Sequence, residues 1–394
     1  MTQRTLPPPI TSTDDLALLC KRLAKAEHIA IDTEFLRETT YYPRLCLVQL
    51  ASNEEAAAVD PLAEGISLEP LFALLADPKV TKIFHAGRQD IEIFFNLHGM
   101  IPAPLYDTQV AAMVCGYGDQ VSYDRLVEGV LGVKLDKGSR FTNWSARPLT
   151  DKQLRYALDD VIYLEQLYPK LLQSIADNKR EDWLEEEMQH CSNREIYQQD
   201  PDKAWQRIRQ RGSRPEILNR LRHLAAWREQ QARQRDIPKS RLIKDDLLLA
   251  IANANPKSAA ELGNIRGFPG GSGGKLVSPL VTVLKQAAQT PKADWPKPPA
   301  SRKRKPPAAQ LDLIRVLLKH VAETAGVAPK LIASADDLEG LACGERDGIM
   351  AASGWRYELF GKLVDQLGNG QIAITCHGHK LKILQLKDDE SRPE

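Results

Sequence analysis

Short apolar runs alternate with amphipathic segments over roughly the first 170 residues. The strand-like runs read "HIAIDTEFL", "RLCLVQLAS", "AAAVDP" and "TKIFHAG". Helical spacing of apolar residues is found over 14–27 and in "LEPLFALLAD", "RQDIEIFFNLHG" and "QVAAMVCG", and a long helix is predicted over 151–168 behind Thr150, a good N-cap. Because the strands come first and then alternate with helices, this region is predicted to form a mixed sheet flanked by helices.

The strand signals stop at about residue 170. Residues 214–290 and 309–367 each show the pattern of several short helices, which predicts two small all-α domains. Between them lies "QTPKADWPKPPASRKRKPP", whose prolines and repelling charges are typical of a linker. Near the C-terminus, "QIAIT" and "KLKILQL" flank "CHGH", which predicts a short β-hairpin.

Composition excludes some classes of protein. The 394 residues are 43% hydrophobic and 27% charged, which is ordinary for globular domains. No apolar run approaches the roughly 18 residues that span a membrane, so no membrane partner is expected. Six scattered cysteines without a C-x-x-C pair indicate reduced thiols, and we therefore expect a cytoplasmic protein without a disulfide frame or zinc site.

The net charge of +1 hides an asymmetry between the two helical regions. Residues 202–244, here called the basic stretch, carry 13 Lys/Arg against 4 Asp/Glu, or +9. Residues 309–384 carry 8 against 9, or −1. A polyanionic partner is therefore predicted to bind at the basic stretch.

Two carboxylates, Asp32 and Glu34, interrupt the first apolar run. Alternate strand residues share a face, so both side chains point the same way, about 7 Å apart at their Cα atoms. One explanation is an edge strand with a solvated face. The other is a divalent cation that cancels the repulsion, since Mg²⁺ and Mn²⁺ prefer carboxylate oxygens.

Two later helices offer further oxygen ligands. Asp90 shares a helix face with Phe94, whereas Glu92 points elsewhere. Tyr156 and Asp160 lie four residues apart on one face of the 151–168 helix, and Asp159, about 100° around the helix, is expected to be solvated. Each of these patterns is weak when taken alone.

Together and in this order, the motifs resemble the four-carboxylate 3′→5′ exonuclease family, in the subgroup with a tyrosine in the last motif. The flanking segments "IDTEF", "LCLVQ", "FHAGRQDIEIF", "YDTQVAA", "LDKGSRFTNWSARPLT" and "RYALDDVIYL" are similar to ribonuclease D over residues 8–172. Residues 224–252 resemble the helicase-and-ribonuclease-D C-terminal (HRDC) domain. The resemblance implies an exonuclease domain with a ribonuclease H-like fold over 8–172, an HRDC domain over 212–291, a linker over 292–307 and a divergent second HRDC-like domain over 308–386.

The resemblance also implies roles for single residues. Asp32, Glu34, Asp90 and Asp160 would be metal ligands, and Tyr156 would orient the attacking water. Four carboxylates balance the charge of two Mg²⁺ or Mn²⁺ ions, which can hold an in-line displacement between them. The implied enzyme is a 3′→5′ exoribonuclease that trims the 3′ ends of structured RNA, such as tRNA precursors, and releases nucleoside 5′-monophosphates. It is expected to be a monomer.

Two alternatives stay open at this stage. A 3′→5′ DNA exonuclease would use the same active-site residues, and a non-catalytic RNA-binding scaffold would keep only the architecture. Beside the motifs, Phe35 either packs in the core or stacks on the terminal base. His85 is interpreted as a structural residue.

Overall fold

A computed structural model describes residues 6–136, 138, 142–209, 214–297 and 305–386. Parts of the predicted linker, of the basic stretch and of the "LDKGSRFTNW" motif lie outside the described residues. The described strands are β1 (His28–Leu36), β2 (Arg44–Ala51), β3 (Ala56–Val59), β4 (Thr81–Phe84), β5 (Leu105–Asp107), β6 (Ile372–His377) and β7 (Lys380–Gln385). Among these residues no helix is long and apolar enough to cross a membrane.

Five strands form one mixed sheet in the order β3-β2-β1-β4-β5. β1 pairs antiparallel with β2 and parallel with β4, so the strand that carries Asp32 and Glu34 lies at the centre of the sheet. The mixed sheet is confirmed, and the explanation by a solvated edge strand is wrong because β1 has a neighbour on each side. The repulsion between the two carboxylates therefore needs another explanation.

The helices of the exonuclease region pack on both faces of this sheet. They are α1 (Thr13–Leu23), α2 (Glu69–Ala76), α3 (Arg88–His98), α4 (Thr108–Cys115), α5 (Tyr123–Leu131), α6 (Asp151–Asp177), α7 (Glu181–Cys191) and α8 (Arg194–Tyr197). α1 ends four residues earlier than its apolar pattern predicts, and α6 runs nine residues further, through Pro169. One face of the sheet buries α1, α2 and α3, and α6 packs on the other.

Two sets of helices follow, in a similar order. The first is α9 (Pro215–Gln234), α10 (Lys239–Leu242), α11 (Asp245–Ala254), α12 (Ala259–Gly263) and α13 (Val277–Gln289). The second is α14 (Ala308–Ala325), α15 (Pro329–Ile332), α16 (Ala335–Ala342), α17 (Gly354–Arg356), a π-helical segment (Tyr357–Gly361) and α18 (Lys362–Gly368). Each set begins with a long helix, then a four-residue helix, then a third helix that is separated from the second by two residues. The hairpin β6–β7 follows the second set, as predicted.

The first helical set docks on the connection between β1 and β2 through Tyr41. The Tyr41 hydroxyl donates to Glu229, which is 1% exposed, and accepts from Arg233 Nε at 3.0 Å. The Asp236 carboxylate accepts from the backbone N–H of Tyr41 at 3.0 Å. The loop that leaves the active-site strand is thus held by the first helical set.

The second helical set shares one hydrophobic core with the exonuclease region. Gly116 and Gly326 approach so closely that a Cβ on Gly116 would lie 2.1 Å from the Gly326 carbonyl oxygen. Trp183 of α7 stacks on Trp355 at 4.1 Å between ring centroids, and the buried Arg356 covers Trp355 at 4.5 Å. The second set is thus packed against the exonuclease region by a continuous hydrophobic core and by stacked tryptophans.

Candidate active site

β1 presents Asp32 and Glu34 at the end of its buried portion. Ile29 and Ile31 point into the core on the opposite face and are fully buried, which fixes the register of the strand. The β1–β2 ladder shifts register between Glu34 and Phe35. Such an irregularity re-aims the strand just after the two carboxylates.

The turn before α3 places Asp90. The Asp107 carboxylate accepts from the backbone N–H groups of Ala86 at 3.0 Å and Gly87 at 2.9 Å. Ala86 has a positive φ of 54°, and a Cβ on Gly87 would lie 2.4 Å from Phe84 Cβ, so only glycine fits there. α3 starts from this turn, and Asp90 lies in its first turn.

Asp90 is 8% exposed, and the Thr33 hydroxyl donates to its carboxylate. Glu92 instead forms a two-pronged ion pair with Arg37, at 3.0 and 3.1 Å. The structure therefore turns Asp90 toward β1 and Glu92 away from it, as the helical spacing predicts.

α6 delivers Tyr156 and Asp160. Its start is fixed by a capping box in which Thr150 and Gln153 satisfy each other's backbone N–H groups. Asp160 joins Asp32 and Glu34 in a group in which one carboxylate oxygen from each residue lies within 4.8 Å of the other two. Tyr156 hydrogen-bonds Asp160.

These residues line one cavity of about 620 Å³. Asp90 is not part of the group of three carboxylates, but it lines the same cavity. Phe35, His85 and Asp159 lie in the cavity wall as well. The structure thus brings all five predicted site residues to one place.

Burial and mutual repulsion raise the pKa values of the clustered carboxylates. Burial, followed by the charges of Asp160 and Asp90, raises the pKa of Glu34 from 4.5 to about 9. Burial raises the pKa of Asp90 to about 7, and burial together with the three neighbouring carboxylates raises the pKa of Asp32 well above its ordinary value. Ionised carboxylates in this geometry require positive charge nearby.

Asp159 differs from the expectation. It is half-buried rather than solvated, and burial raises its pKa. The reason is α5, whose Tyr123 donates to the backbone carbonyl oxygen of Asp160 at 2.6 Å and covers this turn of α6. The side chain of Asp159 is still outside the group of three carboxylates.

His85 and Phe35 lie beside the carboxylate-bearing segments and line the same cavity. His85 Nδ1 lies 3.0 Å from the Thr108 hydroxyl, which itself donates to the Phe84 carbonyl oxygen at 3.0 Å. Nδ1 is therefore the protonated nitrogen, and this network supports the structural interpretation of His85. Phe35 is half-buried, packs against the core and also lines the cavity.

Sequence reasoning missed the residues that hold the ligand-bearing segments. Asp107 fixes the turn before α3, and Arg147 pins the segment before α6 by binding the buried Asp60 at 2.5 and 2.6 Å. Asp107 stands in the motif "YDT" and Arg147 in "ARPLT", so both residues are visible in the sequence. Their partners, Gly87 and Asp60, lie 20 and 87 residues away. Such pairings follow from tertiary structure alone.

Comparisons with known proteins agree with this site. A 3′-5′ exonuclease family model matches residues 7–176, and an HRDC domain model matches residues 217–272. The chain is 46% identical to ribonuclease D of Jannaschia sp. (strain CCS1) over 387 residues, which cover 97% of this chain and 100% of that protein. It is 43% identical to ribonuclease D of Sphingobium indicum over 95% of this chain and 98% of that protein. The chain belongs to the ribonuclease D family.

The fold agrees with this family assignment. The crystal structure of Escherichia coli RNase D, described as an exoribonuclease involved in structured RNA processing, matches with a TM-score of 0.80 and 32% identity. The match covers 93% of this chain and 99% of that one. As a ribonuclease D family member with a 3′-5′ exonuclease domain, the chain is a 3′→5′ exoribonuclease.

The donor set fits the divalent metal dependence of this exonuclease family. Carboxylate oxygens are the ligands that Mg²⁺ and Mn²⁺ prefer, and no sulfur or imidazole ligand belongs to the group of three carboxylates. The raised pKa values of Asp32 and Glu34 indicate that a nearby cation would favour their ionised forms.

Proposed function

We propose that this chain trims the 3′ ends of structured RNA, such as tRNA precursors, by two-metal-ion hydrolysis that releases nucleoside 5′-monophosphates. The observation that carries the proposal is the group formed by Asp32, Glu34 and Asp160, in which one carboxylate oxygen from each residue lies within 4.8 Å of the other two. Asp90 lines the same cavity. The family assignment supplies the direction of degradation.

Asp32, Glu34, Asp90 and Asp160 would hold two Mg²⁺ or Mn²⁺ ions. Bound there, the ions supply an activated water and stabilise the leaving 3′ oxygen. The protein contributes a rigid frame for these four carboxylates, because they come from a central strand and two helices rather than from loops. Thr33 holds one oxygen of Asp90 and so limits how that carboxylate turns.

Tyr156 is proposed to orient the attacking water rather than to remove its proton. Burial and the neighbouring carboxylates raise the pKa of Tyr156 above its ordinary value of 10.0. The phenol therefore stays protonated at neutral pH and can donate and accept hydrogen bonds. Trp144 lies beside it, with ring centroids 6.1 Å apart, and limits the motion of the ring.

The RNA upstream of the 3′ end is proposed to run along the first helical set. The basic stretch keeps several exposed cations there, whereas Arg228 and Arg233 are engaged in contacts within the fold. The exposed ones among the described residues are Lys203, Arg207, Arg209, Arg214, Arg235, Arg241 and Lys244. We also propose that residues 212–291 and 308–386 act as two HRDC-type domains, and that the enzyme works as a cytoplasmic monomer.

The experiment compares three substrates of matched 3′ sequence: a tRNA precursor with a short 3′ trailer, an unstructured RNA and the corresponding DNA. Preference for the precursor by kcat/KM, with 5′-monophosphates as products, supports the proposal. Equal or faster hydrolysis of DNA favours a DNA exonuclease. Binding of RNA without release of monophosphates, in Mg²⁺ and in Mn²⁺, favours a non-catalytic RNA-binding scaffold.

A further inference from the structure

Gln49 is a fully buried carboxamide without a hydrogen-bond partner. It lies in the middle of β2 and is 0% exposed. Neither its side-chain nitrogen nor its side-chain oxygen finds a partner among the described residues. Buried polar groups in native proteins are nearly always hydrogen-bonded, so this exception needs a cause.

The register of the sheet places Gln49 directly opposite Asp32. Cross-strand neighbours project from the same face of an antiparallel pair, and long side chains at these positions reach each other. On the other side of Gln49 lies Ala58 of β3, and the next residues along this face of β2 are Leu47 and Ala51. Among its neighbours across β1, the directly opposite Asp32 and the diagonal Glu34 carry side chains that can accept a hydrogen bond, and the opposite position of Asp32 is the nearer one.

Packing does not explain the glutamine. This face of the sheet is covered by α6 through apolar side chains, including the buried Ala157 and Leu158. Methionine has nearly the same length and volume as glutamine and would fill the site without a polar penalty. An apolar residue would satisfy packing at this position, so the amide is better explained by a polar neighbour than by the core.

We propose that Gln49 is a positioning residue whose side-chain amide donates to the Asp32 carboxylate and fixes its orientation toward the bound divalent ions. Metal-ligating carboxylates are themselves commonly held by outer hydrogen bonds, which orient them. Asp90 already has such a partner in Thr33. The inference rests on the proposed function, because it requires Asp32 to be a metal ligand.

The test uses the full chain and two measurements that do not depend on activity: Mn²⁺ affinity by titration calorimetry and the Tm in EDTA. Gln49→Met should weaken Mn²⁺ binding by about 10- to 100-fold, which is typical of lost outer-shell partners. Its Tm in EDTA should equal or exceed that of the wild type, because an unpartnered amide has been removed from the core. Gln49→Leu is made in parallel.

Asn219→Leu is the matched control. Asn219 is also a buried carboxamide, 2% exposed, but its nitrogen donates to the Ala287 carbonyl oxygen at 2.7 Å in the first helical set. This variant should lower the Tm and leave Mn²⁺ affinity unchanged. Asp32→Asn, measured alongside, should lose most of the Mn²⁺ affinity.

The outcomes distinguish the role of Gln49 from the role of Asp32 as a metal ligand. Unchanged Mn²⁺ affinity in Gln49→Met, with affinity lost in Asp32→Asn, overturns the role of Gln49 and leaves the metal site standing. Unchanged affinity in Asp32→Asn overturns the ligand assignment itself. The inference is overturned if Gln49→Met lowers the Tm as much as Asn219→Leu does, or if neither Gln49 variant folds. Either result would mean that the amide stabilises the fold and does not serve the metal site.

Discussion

Replacement of Asp90 by asparagine should stabilise the metal-free protein, and more so at high pH. Burial, opposed by the hydrogen bond from Thr33, raises the pKa of Asp90 from 3.8 to about 7. Between these two values the folded state holds a proton that the unfolded state has lost, so stability falls as the pH rises from about 4 to about 7. Asparagine cannot ionise, and its side-chain oxygen can still accept the Thr33 hydroxyl.

The magnitude follows from the pKa values. At about 1.4 kcal/mol per pKa unit, the wild-type carboxyl costs about 4 kcal/mol of folding free energy at pH 8 and about 2 kcal/mol at pH 5. In EDTA, Asp90→Asn should therefore raise the Tm by several degrees, on the order of 5–10 °C at pH 8, and by roughly half as much at pH 5. Thermal unfolding followed by circular dichroism at both pH values measures the difference.

Asp60→Asn is the control, and it should lower the Tm where Asp90→Asn raises it. Asp60 is 5% exposed, and burial acts to raise its pKa. The hydrogen bonds from Arg147 and from the Leu62 backbone N–H, together with the charge of Arg147, outweigh burial, so the pKa is lowered. Its contribution to stability is present above about pH 4 and is lost only on further acidification, so this variant should lose similar stability at pH 5 and pH 8. A Tm of Asp90→Asn that is equal to or below the wild type at pH 8 in EDTA, or that gains equally at both pH values, would refute the reasoning.

Three further predictions concern activity and binding. Asp160→Asn should be inactive and Asp159→Asn nearly normal in monophosphate release, since Asp159 lies outside the carboxylate group; the reverse result would reassign the ligand. Tyr156→Phe should lower kcat by about 10²–10⁴-fold with little change in RNA affinity, and an unchanged kcat would remove the phenol from the mechanism. Reversing three exposed arginines of the basic stretch should flatten the salt dependence of RNA affinity by about two units, measured with Ca²⁺ in place of Mg²⁺. These are Arg209, Arg235 and Arg241. Reversing three exposed lysines of the second helical set and of the hairpin that follows it should leave the slope unchanged, and the opposite pattern would move RNA binding to that part of the chain. These are Lys319, Lys362 and Lys382.

The sequence predicts those parts of the site that rest on local periodicity. Strand alternation places Asp32 and Glu34 on one face, and helical spacing selects Asp90 over Glu92 and pairs Tyr156 with Asp160. These rules work because each relation lies within a single element. The mixed sheet follows from the order of the elements in the same way.

The rest depends on contacts between distant elements. Nothing near Asp159 in sequence shows that Tyr123 covers its turn of α6, so its partial burial could not be predicted. The shared core of α14 with the exonuclease region, and the docking of Tyr41 on Glu229, likewise join segments more than 100 residues apart. Periodicity identifies an apolar face but not the surface against which it packs.

The central claim is that the carboxylate group hydrolyses RNA from the 3′ end with bound divalent ions. The most direct measurement follows a 5′-labelled RNA with a free 3′ tail, incubated with the wild type or Asp32→Asn in Mg²⁺ or in EDTA. The account predicts a ladder that shortens one nucleotide at a time from the 3′ end with the wild type in Mg²⁺. EDTA should abolish it, and Asp32→Asn should retain less than about a hundredth of the rate. Cleavage at internal positions, cleavage in EDTA, or an Asp32→Asn rate near that of the wild type would contradict the account.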